Sequence, residues 1–66
     1  MNVQVNGKPR ALRDGSTVRD LIDVLGLRVR SVVVERNGEP VARSSFGGIA
    51  LADGDVLEVV KAVPGG

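Results

Sequence analysis

One short stretch of this 66-residue chain has the period of a helix, and every other regular segment reads as strand. Val18, Leu21, Ile22 and Leu25 fall at i, i+3, i+4 and i+7, which puts them on one apolar face. Thr17 stands where an N-cap belongs, and Asp20 three residues on completes a capping box and suits the positive end of the helix dipole. Gly26 sits where a left-handed residue closes a helix. The span predicts about two and a half turns. One helix this short covers one face of one sheet, so the expected class is a two-layer α+β domain.

The strands follow from alternation and from turn dipeptides. Residues Met1 to Asn6 alternate apolar and polar, the period of a half-buried strand, and Asn6-Gly7 favours a tight hairpin turn. A second strand is expected through Arg10 to Arg13, closed by Asp14-Gly15. Ser31 to Arg36 is valine-rich and reads as a buried strand. Asn37-Gly38 then turns into a short strand around Glu39 to Val41. Residues Arg43 to Ala52 have no clear period, and Gly47-Gly48 marks an irregular crossing loop. Asp53-Gly54-Asp55 reads as a turn and Val56 to Lys61 as the last strand. The compact arrangement of this order is the β-grasp, a mixed four- to five-stranded sheet with one helix across one face. It sets the first and last strands side by side and parallel at the sheet centre. Leu21, Ile22 and Leu25 are expected to pack on Val3, Val5, Leu57 and Val59. The other face has no cover, and Val33 and Val60 are the expected apolar patch there.

Sixty-six residues make one domain, residues 1–66, ending in a flexible tail over 62–66. A chain of this size buries roughly 60% of the surface its unfolded form exposes, so it builds a single small core. It has no cysteine, histidine, tyrosine or tryptophan, which removes thiolate nucleophiles and the commonest general base. No enzymatic activity, cofactor or metal is expected. Asp53 and Asp55 have the look of a metal-ligand pair, but a turn explains both without further ligands. Nine basic and eight acidic residues are dispersed along the chain, and Phe46 is the one aromatic residue. A nucleic-acid surface calls for clustered cations and stacking aromatics, so no nucleic-acid partner is expected. The Arg28 and Arg30 pair reads as a solvated loop, and Phe46 as a core plug under the crossing loop. No apolar run approaches a membrane span and no signal pattern opens the chain, so no membrane contact is expected and the cytoplasm is the expected location.

Chemical content is concentrated at the end. Gly65-Gly66 also fits a plain flexible terminus, but it lies only five residues after Lys61, the end of a central strand. Such a tail projects about 15–18 Å when extended. Glycines lack side chains and thread a narrow channel easily. The carboxylate of Gly66 can therefore be delivered into another protein's active site, with Pro64 and Gly65 threading behind it. A free carboxylate is a poor acyl donor; condensation with ATP to an acyl adenylate supplies AMP as leaving group, and a sulfur nucleophile then yields a thiocarboxylate. Every catalytic group would belong to the partner.

Along its whole length the sequence resembles the ThiS family of sulfur carriers. The resemblance rests on Val5-Asn6-Gly7, on Thr17-Val18-Arg19-Asp20-Leu21-Ile22 and on Val34-Glu35-Arg36-Asn37-Gly38-Glu39. It continues through Val41-Ala42-Arg43-Ser44-Ser45-Phe46, through Asp53-Gly54-Asp55-Val56-Leu57-Glu58-Val59-Val60, and to Gly65-Gly66. Ala42 stands where the family often has proline, and Phe46 where it often has tryptophan. Pro64 is also not the commonest residue before the glycines. The resemblance implies a ubiquitin-like β-grasp carrier serving thiamine thiazole biosynthesis. Its Gly66 carboxylate would be adenylated by a ubiquitin-activating-like, ThiF-type adenylyltransferase and converted to a thiocarboxylate with a sulfur donor protein. The sulfur would pass to a ThiG-type thiazole synthase. Arg43 resembles the family's arginine and is a partner-contact candidate together with Val60; as a lone loop arginine it also fits a surface ion pair.

Three other readings share parts of this pattern. The small subunit of molybdopterin synthase has the same fold, Gly-Gly end and thiocarboxylate. A ubiquitin-like modifier would form isopeptide bonds through Gly66. A non-carrier binding module, like the small domain of threonyl-tRNA synthetases, shares the helix start but sits inside a longer chain.

Overall fold

Three of the four residues of the apolar stripe are fully buried in the computed structural model, which describes residues 1–62. Val18, Leu21 and Ile22 are closed to solvent on the inner side of helix α1, Val18–Val24. The capping box is formed: the Asp20 N–H donates to Thr17 Oγ1 at 3.1 Å, and the Thr17 N–H donates to Asp20 Oδ2 at 2.9 Å. Two more first-turn donors find carbonyls in the crossing loop, Val18 N–H on Ile49 (3.2 Å) and Arg19 N–H on Phe46 (3.0 Å). The helix start is thus tied down without help from solvent. At the other end Gly26 takes φ +71°, its N–H meets the Asp23 carbonyl, and the Leu27 N–H meets the Ile22 carbonyl. This closure stops the helix after seven residues, shorter than the sequence spacing predicts. Leu25, at the cap, is half-buried on the margin of the core.

Five strands form one sheet in the order β2-β1-β5-β3-β4. They are β1 Asn2–Val5, β2 Lys8–Ala11, β3 Val32–Arg36, β4 Glu39–Val41 and β5 Val56–Lys61. β1 and β5 are parallel at the centre, with Val5 opposite Leu57; the remaining pairs are antiparallel. The two hairpins turn on Asn6-Gly7 and Asn37-Gly38, all four residues with positive φ. That is the mirror-image turn whose twist matches the strands. β2 ends two residues earlier than the sequence reading, because its pairing closes with Leu12 on Met1 before the chain turns toward the helix.

Alternation divides the sheet cleanly. Val3, Val5, Val32, Val34, Leu57 and Val59 face α1 and form one buried cluster with its stripe. The crossing loop carries a 3-10 turn, Arg43–Ser45, and drops Phe46 and Leu51 into the same cluster. Phe46 is the core plug that its position in the sequence suggested. Each hairpin also reads Asn-Gly-x-Pro, which places Pro9 on β2 and Pro40 on β4. Lys8 and Glu39 flank two-residue turns and bond inward, so the prolines next to them occupy the outward positions of both sheet edges.

Helix stability here should come from packing more than from capping. Ile22→Ala is expected to cost about 2–5 kcal/mol, and Thr17→Ala about 1 kcal/mol. Urea denaturation of the two variants checks the order. Equal losses would mean that the cap, not the buried stripe, holds α1.

Candidate functional site

The end of β5 is the point from which the chain leaves the sheet, and its neighbours determine how firmly that point is held. On the β1 side the backbone ladder ends where the chain turns at Asn6. The Asn6 carboxamide then continues it: Nδ2 donates to the Val59 carbonyl (3.0 Å) and Oδ1 accepts the Val59 N–H (2.7 Å). On the β3 side pairing runs to Lys61 opposite Val32, and the Ala62 N–H donates to the Ser31 carbonyl at 2.8 Å. Ala62, grouped with the tail from sequence, is therefore still tied to the sheet. Pro64, Gly65 and Gly66 lie outside the described residues.

Arg43 reaches the same end of the sheet. β4 stops at Val41 opposite Val34, so Val32 has no strand on its outer side, and Arg43 Nε donates to its carbonyl at 3.4 Å. Among the described residues Arg43 makes no ion pair, so the surface ion-pair reading is not what holds it. Arg30 sits in the 3-10 turn Val29–Ser31, next to the residue that receives Ala62. Arg30, Arg43 and Lys61 thus all adjoin the start of β3: Arg30 precedes Ser31 in the chain, Lys61 pairs with Val32, and Arg43 bonds the Val32 carbonyl from the other side.

The uncovered face carries the other candidates. Val33 and Val60 lie directly opposite each other, 49% and 59% exposed. Val56 is also exposed on this face, by the same alternation along β5, and was not singled out in the sequence reading. Glu35 and Glu58 face each other in the next pair.

The aspartates of the turn before β5 are structural. Asp53 accepts the Asn2 N–H at 2.7 Å. Asp55 is buried and accepts from Ala52 N–H (2.8 Å), Asn37 Nδ2 (3.0 Å) and Arg36 Nε (2.8 Å). Among the described residues no three carboxylates gather into a metal-binding group. Burial pushes the Asp55 carboxyl up, but its hydrogen bonds from Ala52, Asn37 and Arg36, with the Arg36 charge, outweigh this and hold it below the ordinary carboxylate value. A lowered folded pKa means that the stabilisation is complete above the unfolded value near ~4 and fades as pH falls through the folded one. Stability of the protein should therefore fall as pH drops below about 4. Asp55→Asn should be less stable at neutral pH and show a flatter acid limb in pH-dependent urea melts.

Comparison with known proteins agrees with this geometry. The family model described as "ThiS family" matches residues 3–66. The sulfur carrier protein ThiS of Bacillus subtilis is 37% identical over 65 residues, covering 97% of this chain and 98% of that protein. The thiazole synthase of Paramagnetospirillum magneticum is 42% identical over 66 residues, all of this chain and 20% of that protein. The chain thus spans about a fifth of the thiazole synthases that it matches. The crystal structure of the thiamine biosynthesis protein ThiS from Geobacter metallireducens superposes with a TM-score of 0.81 at 35% identity over the full length of both chains.

Proposed function

The chain belongs to the ThiS family, and we propose that it carries sulfur for thiamine thiazole biosynthesis as a thiocarboxylate on Gly66. It is a carrier and not an enzyme. The observation that supports this best is the full-length match to a sulfur carrier protein, with β5 held by Asn6 at Val59 and by β3 up to Lys61, four residues before Gly65. A firm root and a short tail locate the carboxylate relative to whatever grips the domain. A ThiF-type adenylyltransferase supplies the chemistry: a Gly66 carboxylate oxygen attacks the α-phosphorus of ATP and pyrophosphate leaves. Hydrosulfide released by a sulfur donor protein then attacks the acyl carbon and AMP leaves, so that the thiocarboxylate remains on Gly66. Pro64 and Gly65 thread the channel behind Gly66.

Val33 and Val60 form the docking patch for these partners, on the face that α1 leaves open. A ThiG-type thiazole synthase is the acceptor. Thiazole synthases that contain a region similar to this chain support that acceptor over a molybdopterin synthase. We place these steps in the cytoplasm; among the described residues no helix is long and apolar enough to cross a membrane.

Deleting Gly66 should abolish loading while changing stability by no more than about 0.5 kcal/mol. One residue of retraction is about 3.5 Å, and misplacing a reacting atom by even ~1 Å can cost about a hundredfold in rate. Pyrophosphate exchange with the adenylyltransferase, then intact mass for replacement of one oxygen by sulfur, reads the result. Loading of the truncated protein at the parent's rate would overturn the carrier reading. Val60→Asp should weaken binding to the adenylyltransferase at least tenfold with little change in folding, because Val60 is exposed and packs on nothing in the core. Unchanged affinity in isothermal titration would remove Val60 from the interface.

A further inference from the structure

We propose that Arg30, Arg43 and Lys61 form a cationic collar around the root of the tail, and that it recognises an acidic rim at the mouth of the partner channel that receives the tail. This rests on the carrier reading above, and it concerns a part of the surface distinct from the Val33 and Val60 patch.

The collar is assembled by the fold. Lys61 pairs with Val32 and Ala62 bonds to Ser31, so the last described residues are tied to the start of β3. Arg30 immediately precedes Ser31, and the Arg43 guanidinium lies at the Val32 carbonyl. All three cations are exposed. Among the described residues the ion pairs lie elsewhere: Met1 with Asp14, Arg19 with Asp23 and Arg36 with Asp55. The carboxylates Asp53 and Asp55 precede β5, at the opposite end of that strand from Lys61. Glu35 and Glu58 lie farther along β3 and β5, beyond the Val33 and Val60 pair, so at the Lys61 end of β5 the cations outnumber the carboxylates in a chain with a formal charge of only +1.

Position selects the chemistry of that partner surface. Residues 63–66 span about 13–14 Å when extended, farther than a lysine or arginine side chain extends. A collar that stays at the root while Gly66 reaches the adenylating site cannot touch the nucleotide phosphates there. It meets the entrance instead, and carboxylates are the complement of three cations at a protein surface. Rim charges of this kind act mainly on the rate of encounter and on its salt dependence. Arg43, held by the Val32 carbonyl, loses less freedom on contact than a free side chain would.

The test uses the full chain and its ThiF-type adenylyltransferase in stopped-flow association at low salt and at about 1 M salt, where screening extends over roughly 3 Å. The double variant Arg30→Glu/Lys61→Glu is preferred because neither side chain makes a hydrogen bond among the described residues; Arg43→Gln is the second variant, and melting curves confirm that both fold. The expected result is association slowed about tenfold or more at low salt for the double variant, with the difference largely gone at high salt. Thiocarboxylate formation should recover when the enzyme is raised to saturation. Parent and variant associating alike at low salt would overturn the collar. So would loss of loading at saturating enzyme with unchanged association, since that would put the cations at the nucleotide. Failure of the parent itself to be loaded would instead count against the carrier reading.

Discussion

The pairing of β1 with β5 is the constraint on which the rest of this fold depends. It joins segments about fifty residues apart, as the contact between Asn6 and Val59 at a separation of 53 illustrates. Until β5 enters between β1 and β3, the two hairpins are separate ribbons and α1 has only part of a floor. A contact at that separation carries a large loop-closure cost, which the helix stripe and the crossing loop must offset. Register matters as much as proximity, because a slip of one residue along β5 would turn Leu57 and Val59 outward. Polar groups guard against that slip at both ends of the strand. Asp55 and Asn37 engage its start, and Asn6 engages Val59.

Local features were legible in the sequence, and relations between distant segments less so. Thr17 with Asp20, the two Asn-Gly turns and Gly26 each encode their geometry within a few residues. The structure places all of them as the spacing predicts. Topology was inferable because a single short helix leaves few ways to bury Val3, Val5, Leu57 and Val59 together. The seven-residue helix is shorter than the expected span of about two and a half turns, because an apolar stripe shows what is buried and not where hydrogen bonding stops. The second role of Asn6 and Asn37, as side chains that bond β5, has no local signal: a turn asparagine looks the same whether or not a strand lies beside it. Arg43 was picked out from resemblance alone. Its placement beside Lys61 and Arg30 depends on where β4 stops, which periodicity does not report.

The division between the two faces of the sheet links fold to carrier chemistry. All of the helix is spent on one side, so the other side retains valines that a larger domain would bury. A protein without its own catalytic groups needs such a surface, because every step is performed by something that must first hold it. The same economy appears in Asp53 and Asp55, which are committed to backbone, asparagine and arginine bonds before β5.

Pro9 and Pro40 bear on how long such encounters last. A strand laid against β2 or β4 would find a missing donor on either edge, so the sheet is poorly suited to being extended by another chain. Attachment through backbone ladders is cooperative and slow to undo, whereas attachment through side chains on an open face comes apart readily. A carrier that collects its cargo from one protein and surrenders it to another must let go of both. Two prolines at equivalent hairpin positions bias this molecule toward brief visits, and they also discourage copies of it from joining edge to edge while they wait for a partner.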